Sequence, residues 1–106
     1  MLERDYQAGL IKKLKRMFPG CVVLKNDPEY LQGIPDLVIF YGKHWAMLEV
    51  KGSERASQRP NQAYYVDMLN EMSFAAFIYP SNEETILDEL QRAFASPRRA
   101  RLSQPE

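Results

Sequence analysis

The sequence predicts an α/β fold: a small mixed β-sheet flanked by helices, in the order α-β-β-β-α-β-α. Three observations carry that expectation. Apolar residues recur at spacings of three and four in three separate stretches, which marks amphipathic helices. Short β-rich runs such as Cys21-Val-Val-Leu-Lys25 and Phe74 to Tyr79 lie between them. Two longer apolar runs flank Gly42-Lys43, as in a β-hairpin.

The first helix is expected over 2–18, with Leu2, Tyr6, Leu10, Leu14 and Met17 as one stripe, and Pro19-Gly20 stops it. A strand follows at 21–25, then a loop at 26–35 rich in Asn, Asp, Pro and Gly. The hairpin pairs Asp36–Tyr41 with His44–Lys51 through a type II′ turn, which favours glycine at its first central position. A helix over about 58–72 turns Tyr65, Met68, Leu69 and Met72 inward. A strand at 74–79 precedes a helix at about 83–95 with Ile86, Leu87, Leu90 and Phe94 buried. Residues 1–95 read as one domain, and 96–106, with Arg98, Arg99 and Arg101, as a loose basic tail. Helices on both faces of the sheet would bury the stripes.

Composition narrows the function classes. The chain has 106 residues, enough for one domain, and 45% of them are apolar. Its single cysteine, Cys21, precludes an internal disulfide and a Cys-rich zinc cage, and reads as a buried free thiol. No apolar run is long enough for a membrane span or a signal peptide, so a soluble cytoplasmic protein is expected. The net charge is zero, but residues 1–60 carry 10 Lys/Arg against 7 Asp/Glu and residues 61–106 carry 4 against 7. An ion held by Asp36 and Glu49 would leave the first half basic and able to steer a polyanion. Lys12, Lys13, Lys15 and Arg16 equally describe a solvated helix face.

The hairpin makes a geometric prediction. With Gly42 and Lys43 in the loop, Tyr41 pairs with His44 and Asp36 falls opposite Glu49. Opposed residues share a face, with Cβ atoms about 4.5–5.5 Å apart. Lys51, two positions on, returns to that face. Two carboxylates so close repel unless a counter-charge joins them. Mg²⁺ or Mn²⁺ suits such oxygen ligands, and a lysine alongside can hold or polarise an attacking water. Glu49-x-Lys51 alone better describes an exposed salt bridge on an edge strand; Asp36 opposite brings the metal reading level with it.

Gly33-Ile-Pro-Asp-Leu37, Leu48-Glu-Val-Lys-Gly52 and Gln62 on the following helix together resemble the VRR-NUC branch of the PD-(D/E)xK nuclease superfamily, in its compact phage and bacterial form. The similarity runs from the first helix to the strand at 74–79. It implies a restriction-endonuclease-like core and a Mg²⁺-dependent (or Mn²⁺-dependent) endodeoxyribonuclease of a bacterial or phage-infected cell. By the same resemblance Asp36 and Glu49 bind the metal, Lys51 assists the water, Gln62 belongs to the active site, and Glu3 stands near the metal as a further acidic residue. Compact relatives imply Holliday-junction-like substrates and a homodimer, since two cuts need two sites. The alternative is a non-catalytic nucleic-acid-binding or assembly module on the same fold.

Lys25, Arg55 and Arg59 are candidate phosphate contacts, because they lie in or beside loops near the proposed site. Tyr30, Tyr64 and Tyr65 are candidate base-stacking residues, although helical spacing suits the last two to the core. His44, about 16 Å along the strand from Glu49, is poorly placed as a general base. Tyr41, the aromatic face of the third helix and Trp45, which can equally pack in the core, are the surfaces expected to meet a second subunit.

Overall fold

The computed structural model describes residues 1–96; the tail from residue 97, with its three arginines, lies outside the described residues. The elements are α1 (Glu3–Met17), β1 (Val22–Lys25), β2 (Leu37–Tyr41), β3 (His44–Val50), α2 (Pro60–Met72), β4 (Phe74–Ile78) and α3 (Glu83–Ala95). This is the expected order, with ends moved by one or two residues. The sheet runs β1-β2-β3-β4; β1, β2 and β3 are antiparallel neighbours, and β4 lies parallel to β3. A parallel partner needs a crossover, and α2 supplies it.

Alternation along the strands divides two apolar layers. Leu37, Ile39, Ala46, Leu48, Val50 and Ile78 point to the side covered by α1 and α3. There they meet Tyr6, Leu10, Leu14 and Phe18 from α1 and its C-cap, and Leu87, Leu90 and Phe94 from α3. The opposite side is closed by α2 through Val66 and Leu69, which pack with Ala75 and with half-buried Trp45, Met47 and Phe77. Tyr6 donates to Glu83 at 2.8 Å, and Lys13 pairs with the same carboxylate, so α1 and α3 are tied by a polar clasp.

Local chemistry explains the boundaries. Glu3 and Asp5 in the first turn of α1, and Lys15 and Arg16 in the last, complement its dipole. Leu2 is exposed because it sits at the N-cap, before the helix turns, and Phe18 fills the core where Met17 only half does. Gly42 has φ +60° and Lys43 does not have positive φ, as a type II′ turn requires. Pro60 opens α2 from the first-turn positions, where a missing N–H costs nothing.

Several expectations are corrected. On α2, Leu69 and half-buried Tyr65 face inward as expected, but Val66 joins them and Met72 is 55% exposed at the helix end. Cys21 is a free thiol, but only half-buried. Tyr41 and Phe94 are not free surface: their rings stack at 5.8 Å, with Phe18 against both. Trp45 takes the core side of its two expected roles, packing against the α2 layer. On the sheet itself the exposed apolar side chains include Val22, Leu24 and Phe40, on β1 and β2 where α2 does not reach. No helix among the described residues is long and apolar enough to cross a membrane.

Candidate active site

The hairpin register is the one the turn dictates: Tyr41 lies opposite His44 and Leu37 opposite Leu48. One step further, Asp36 and Glu49 meet at the end of the β2–β3 ladder. Asp36 stands one residue before β2, and its Oδ2 accepts the Val50 N–H at 2.9 Å, which clips the carboxylate to the strand that carries Glu49. Glu49 and Lys51 are both buried, at 3% and 9% exposure, and β3 is an interior strand between β2 and β4. An exposed edge-strand salt bridge is thereby excluded.

Gln62 joins the two. Its Nε2 donates to Glu49 Oε2 at 2.9 Å, and its Oε1 accepts from Lys51 Nζ at 2.9 Å. The same Oε1 accepts the Arg59 N–H at 3.1 Å, so this residue also satisfies a backbone donor at the start of its own helix. Lys51 Nζ is 3.5 Å from Glu49 Oε2. Glu49 Oε1 is buried and, among the described residues, has no hydrogen-bond partner. An orphaned carboxylate oxygen in a buried site is costly without a proton or a cation.

Electrostatics agree with that geometry. Burial first, then the neighbouring Asp36 charge, pushes the Glu49 carboxyl up to about 7, against the partial opposition of Lys51 and of the Asp36 backbone N–H. Asp36 is also raised, chiefly by burial and further by the charge of Glu3, while the Val50 N–H and Lys51 hold it back. Burial and a like-charged neighbour are the two factors that disfavour a carboxylate, and a bound cation would reverse both.

Glu3 occupies the first position of α1, where its exposed side chain accepts the Gly52 N–H at 3.0 Å. It thus reaches the turn after Lys51 from the far side of the sheet. Among the described residues no three His, Cys, Asp or Glu side chains are gathered to hold a metal. The structure therefore brings Asp36 and Glu49 together and leaves Glu3 on the Gly52 backbone beside them.

A cleft of about 580 Å³ opens over Asp36, Glu49 and Gln62. Its other wall is the loop at 26–36, which folds on itself. The Asp27 side chain accepts the Glu29 N–H, the Asp27 carbonyl accepts from Tyr30, and Asn26 closes the neck through Pro35 O at 2.9 Å. Gly33 brings this loop against α2: its φ is +93°, and a Cβ there would lie 2.9 Å from Asn61 Cγ. Gly33→Ala is expected to cost about 1–3 kcal/mol of stability, by backbone strain and by that contact. Urea unfolding measures it, with Gly9→Ala, open on its helix, as the harmless control.

The three expected phosphate contacts separate. Arg59 lines the cleft. Lys25 pairs with Leu37 and so takes the sheet face opposite Asp36, a correction that follows from the β1–β2 register. Arg55 lies in the exposed turn after Gly52 and does not line the cleft. The basic run of α1 also lies on the far face, with Lys13 engaged by Glu83. His44, with Nε2 2.8 Å from Ser96 O, is at the turn end, away from the carboxylates. Tyr64 and Tyr65 pack edge to face on α2, whereas Tyr30 is 89% exposed at the cleft. Sequence reading missed Asn61 and the Asn26 clasp; the Gly33 that both serve was its only signal.

Compared with family models, with curated proteins and with solved structures, the chain matches none, so its site stands on its own geometry.

Proposed function

We propose that this chain is a Mg²⁺- or Mn²⁺-dependent DNA endonuclease with a restriction-endonuclease-like core, of the compact VRR-NUC kind its motifs resemble. The observation that carries the reading is half-buried Asp36 beside buried Glu49, whose Oε1 is unpartnered among the described residues, with Lys51 next to it. Asp36 and Glu49 fit a hard divalent ion, with Glu3, whose charge is felt at Asp36, alongside them. Bound there, such an ion supplies Lewis-acid activation of a phosphodiester and of water.

The remaining work falls to the chain's own groups. Lys51 presents its ammonium where charge develops on the phosphoryl oxygens, and Gln62 fixes both Lys51 and Glu49 so that little reorganisation is needed. Arg59 meets a backbone phosphate at the cleft wall. The partners proposed are DNA, with four-way junctions as the specialised substrate, and a second copy of the chain. The uncovered Val22, Leu24 and Phe40 at the open edge of the sheet support the second copy better than the aromatics already packed inside.

A cleavage panel of junction, flap, single-stranded and duplex DNA, with Mg²⁺, Mn²⁺ or EDTA, tests this. Metal-dependent cutting of at least one substrate is expected. Binding without cutting in every metal would mark a non-catalytic module instead.

A further inference from the structure

We propose that Tyr30 is a stacking platform for a nucleobase, so that the cleft takes a nucleotide turned out of the helix rather than a stacked duplex. The inference rests on the nuclease reading of the cleft and adds what holds the substrate there.

Charge alone holds it poorly. Glu29, Asp36 and Glu49 line the cleft against Arg59 as the single cation among its described lining residues. An ion at Asp36 and Glu49 offsets two of those charges, which leaves Arg59 opposed by Glu29 on the wall and Lys51, beside Glu49, as the remaining cation behind it. The many phosphate contacts by which proteins grip duplex DNA are missing from this wall. Its volume, about 580 Å³, lies in the range of small-ligand sites, about 300–1,000 Å³.

What the cleft does offer is an aromatic face. Tyr30 is 89% exposed, and neither its ring nor its hydroxyl has a partner among the described residues. Exposed aromatics scattered on a surface are ordinary; two features set this one apart. Tyr30 lines the same cleft as both carboxylates, and its loop is braced by Asp27, by the Asn26 clasp and by Gly33 against Asn61. Tyr64, by contrast, rests against Tyr65. A ring held on an ordered loop pays little entropy on binding, and stacking is tolerant of base identity. The scissile phosphate then lies at Asp36 and Glu49 while the adjoining base covers Tyr30.

The test uses the full chain with a fluorescent oligothymidylate, its stepwise abasic versions and the matching duplex. Binding is read by anisotropy in Ca²⁺, and KM and kcat by cleavage in Mg²⁺ or Mn²⁺. Tyr30→Ala is expected to weaken binding and raise KM about 30-fold, the middle of the range for one stacked base, with kcat kept. Tyr30→Phe and Tyr30→Trp should restore both, and one abasic position in wild type should reproduce the loss. Circular dichroism checks the fold of each variant. Wild-type affinity and KM in Tyr30→Ala would overturn the stacking role and leave the nuclease reading intact. Binding that depends on Tyr30, without cleavage by wild type in any metal, would overturn the nuclease and keep the platform. No binding of the oligonucleotide by wild type would overturn the platform.

Discussion

Asp36→Asn is expected to lower metal-dependent cleavage at least about 100-fold while making the metal-free protein more stable at pH 8. The two effects have one cause. Asparagine keeps an oxygen for the Val50 N–H, so the hairpin clip survives. It removes the charge that, after burial, is the main reason Glu49 is hard to ionise. Stability should rise by about 1 kcal/mol, as expected when a buried like-charge contact is relieved. Removing a merely structural carboxylate would lower stability, or leave it unchanged. Paired urea titrations and cleavage rates separate the cases, since a function-bearing group is one whose loss strengthens the fold and weakens the chemistry.

A second large effect concerns pH. Glu49 is raised from its ordinary 4.5 to about 7, so between those values the folded chain holds a proton that the unfolded chain has released. Its contribution is fully present below pH 4.5 and is lost as pH rises through about 7. Metal-free stability should therefore fall by about 3 kcal/mol over that window, and by less if the site relaxes or admits water. Asp36, raised in the same direction, contributes a loss of the same sign. Divalent ions should reverse the trend, because they bind the ionised pair and the folded state alone. Melting temperatures with and without Mn²⁺ at pH 5 and pH 8 measure this. A clearly larger Mn²⁺ shift at pH 8 is expected, and Glu49→Gln should abolish it.

Much of the site was legible because one short turn governs it. Gly42-Lys43 sets the hairpin register, and the register alone places Asp36 across from Glu49 and Lys51 on their face. Gln62 was reached through the motif resemblance; the position of its helix alone would equally describe a surface glutamine. What escaped depends on contacts distant in sequence. The burial of Lys51 needs β4 beside β3, a parallel pairing that no local pattern announces. Lys25 looked close to the site along the chain, yet its pairing with Leu37 turns it to the other face. The outward Met72 and inward Val66 reflect a helix that covers only half of the sheet, so its stripe is short. Tyr41 and Trp45 looked surplus until α3 and α2 packed over them. The cleft itself depends on how the 26–36 loop closes, which Asp27 and Asn26 decide by side-chain to backbone bonds.

The most direct measurement is plasmid nicking in Mg²⁺ or Mn²⁺ by wild type, Glu49→Gln and Lys51→Ala, each purified identically and checked for folding. Glutamine at 49 keeps the shape of the buried side chain but gives up the charge and one acceptor oxygen. Alanine at 51 removes only the ammonium arm beside it. The metal-site account predicts that wild type nicks in Mg²⁺ or Mn²⁺ and not in EDTA, with both variants at least about 100-fold slower. Nicking by the folded variants at the wild-type rate, or by wild type in EDTA, would contradict it.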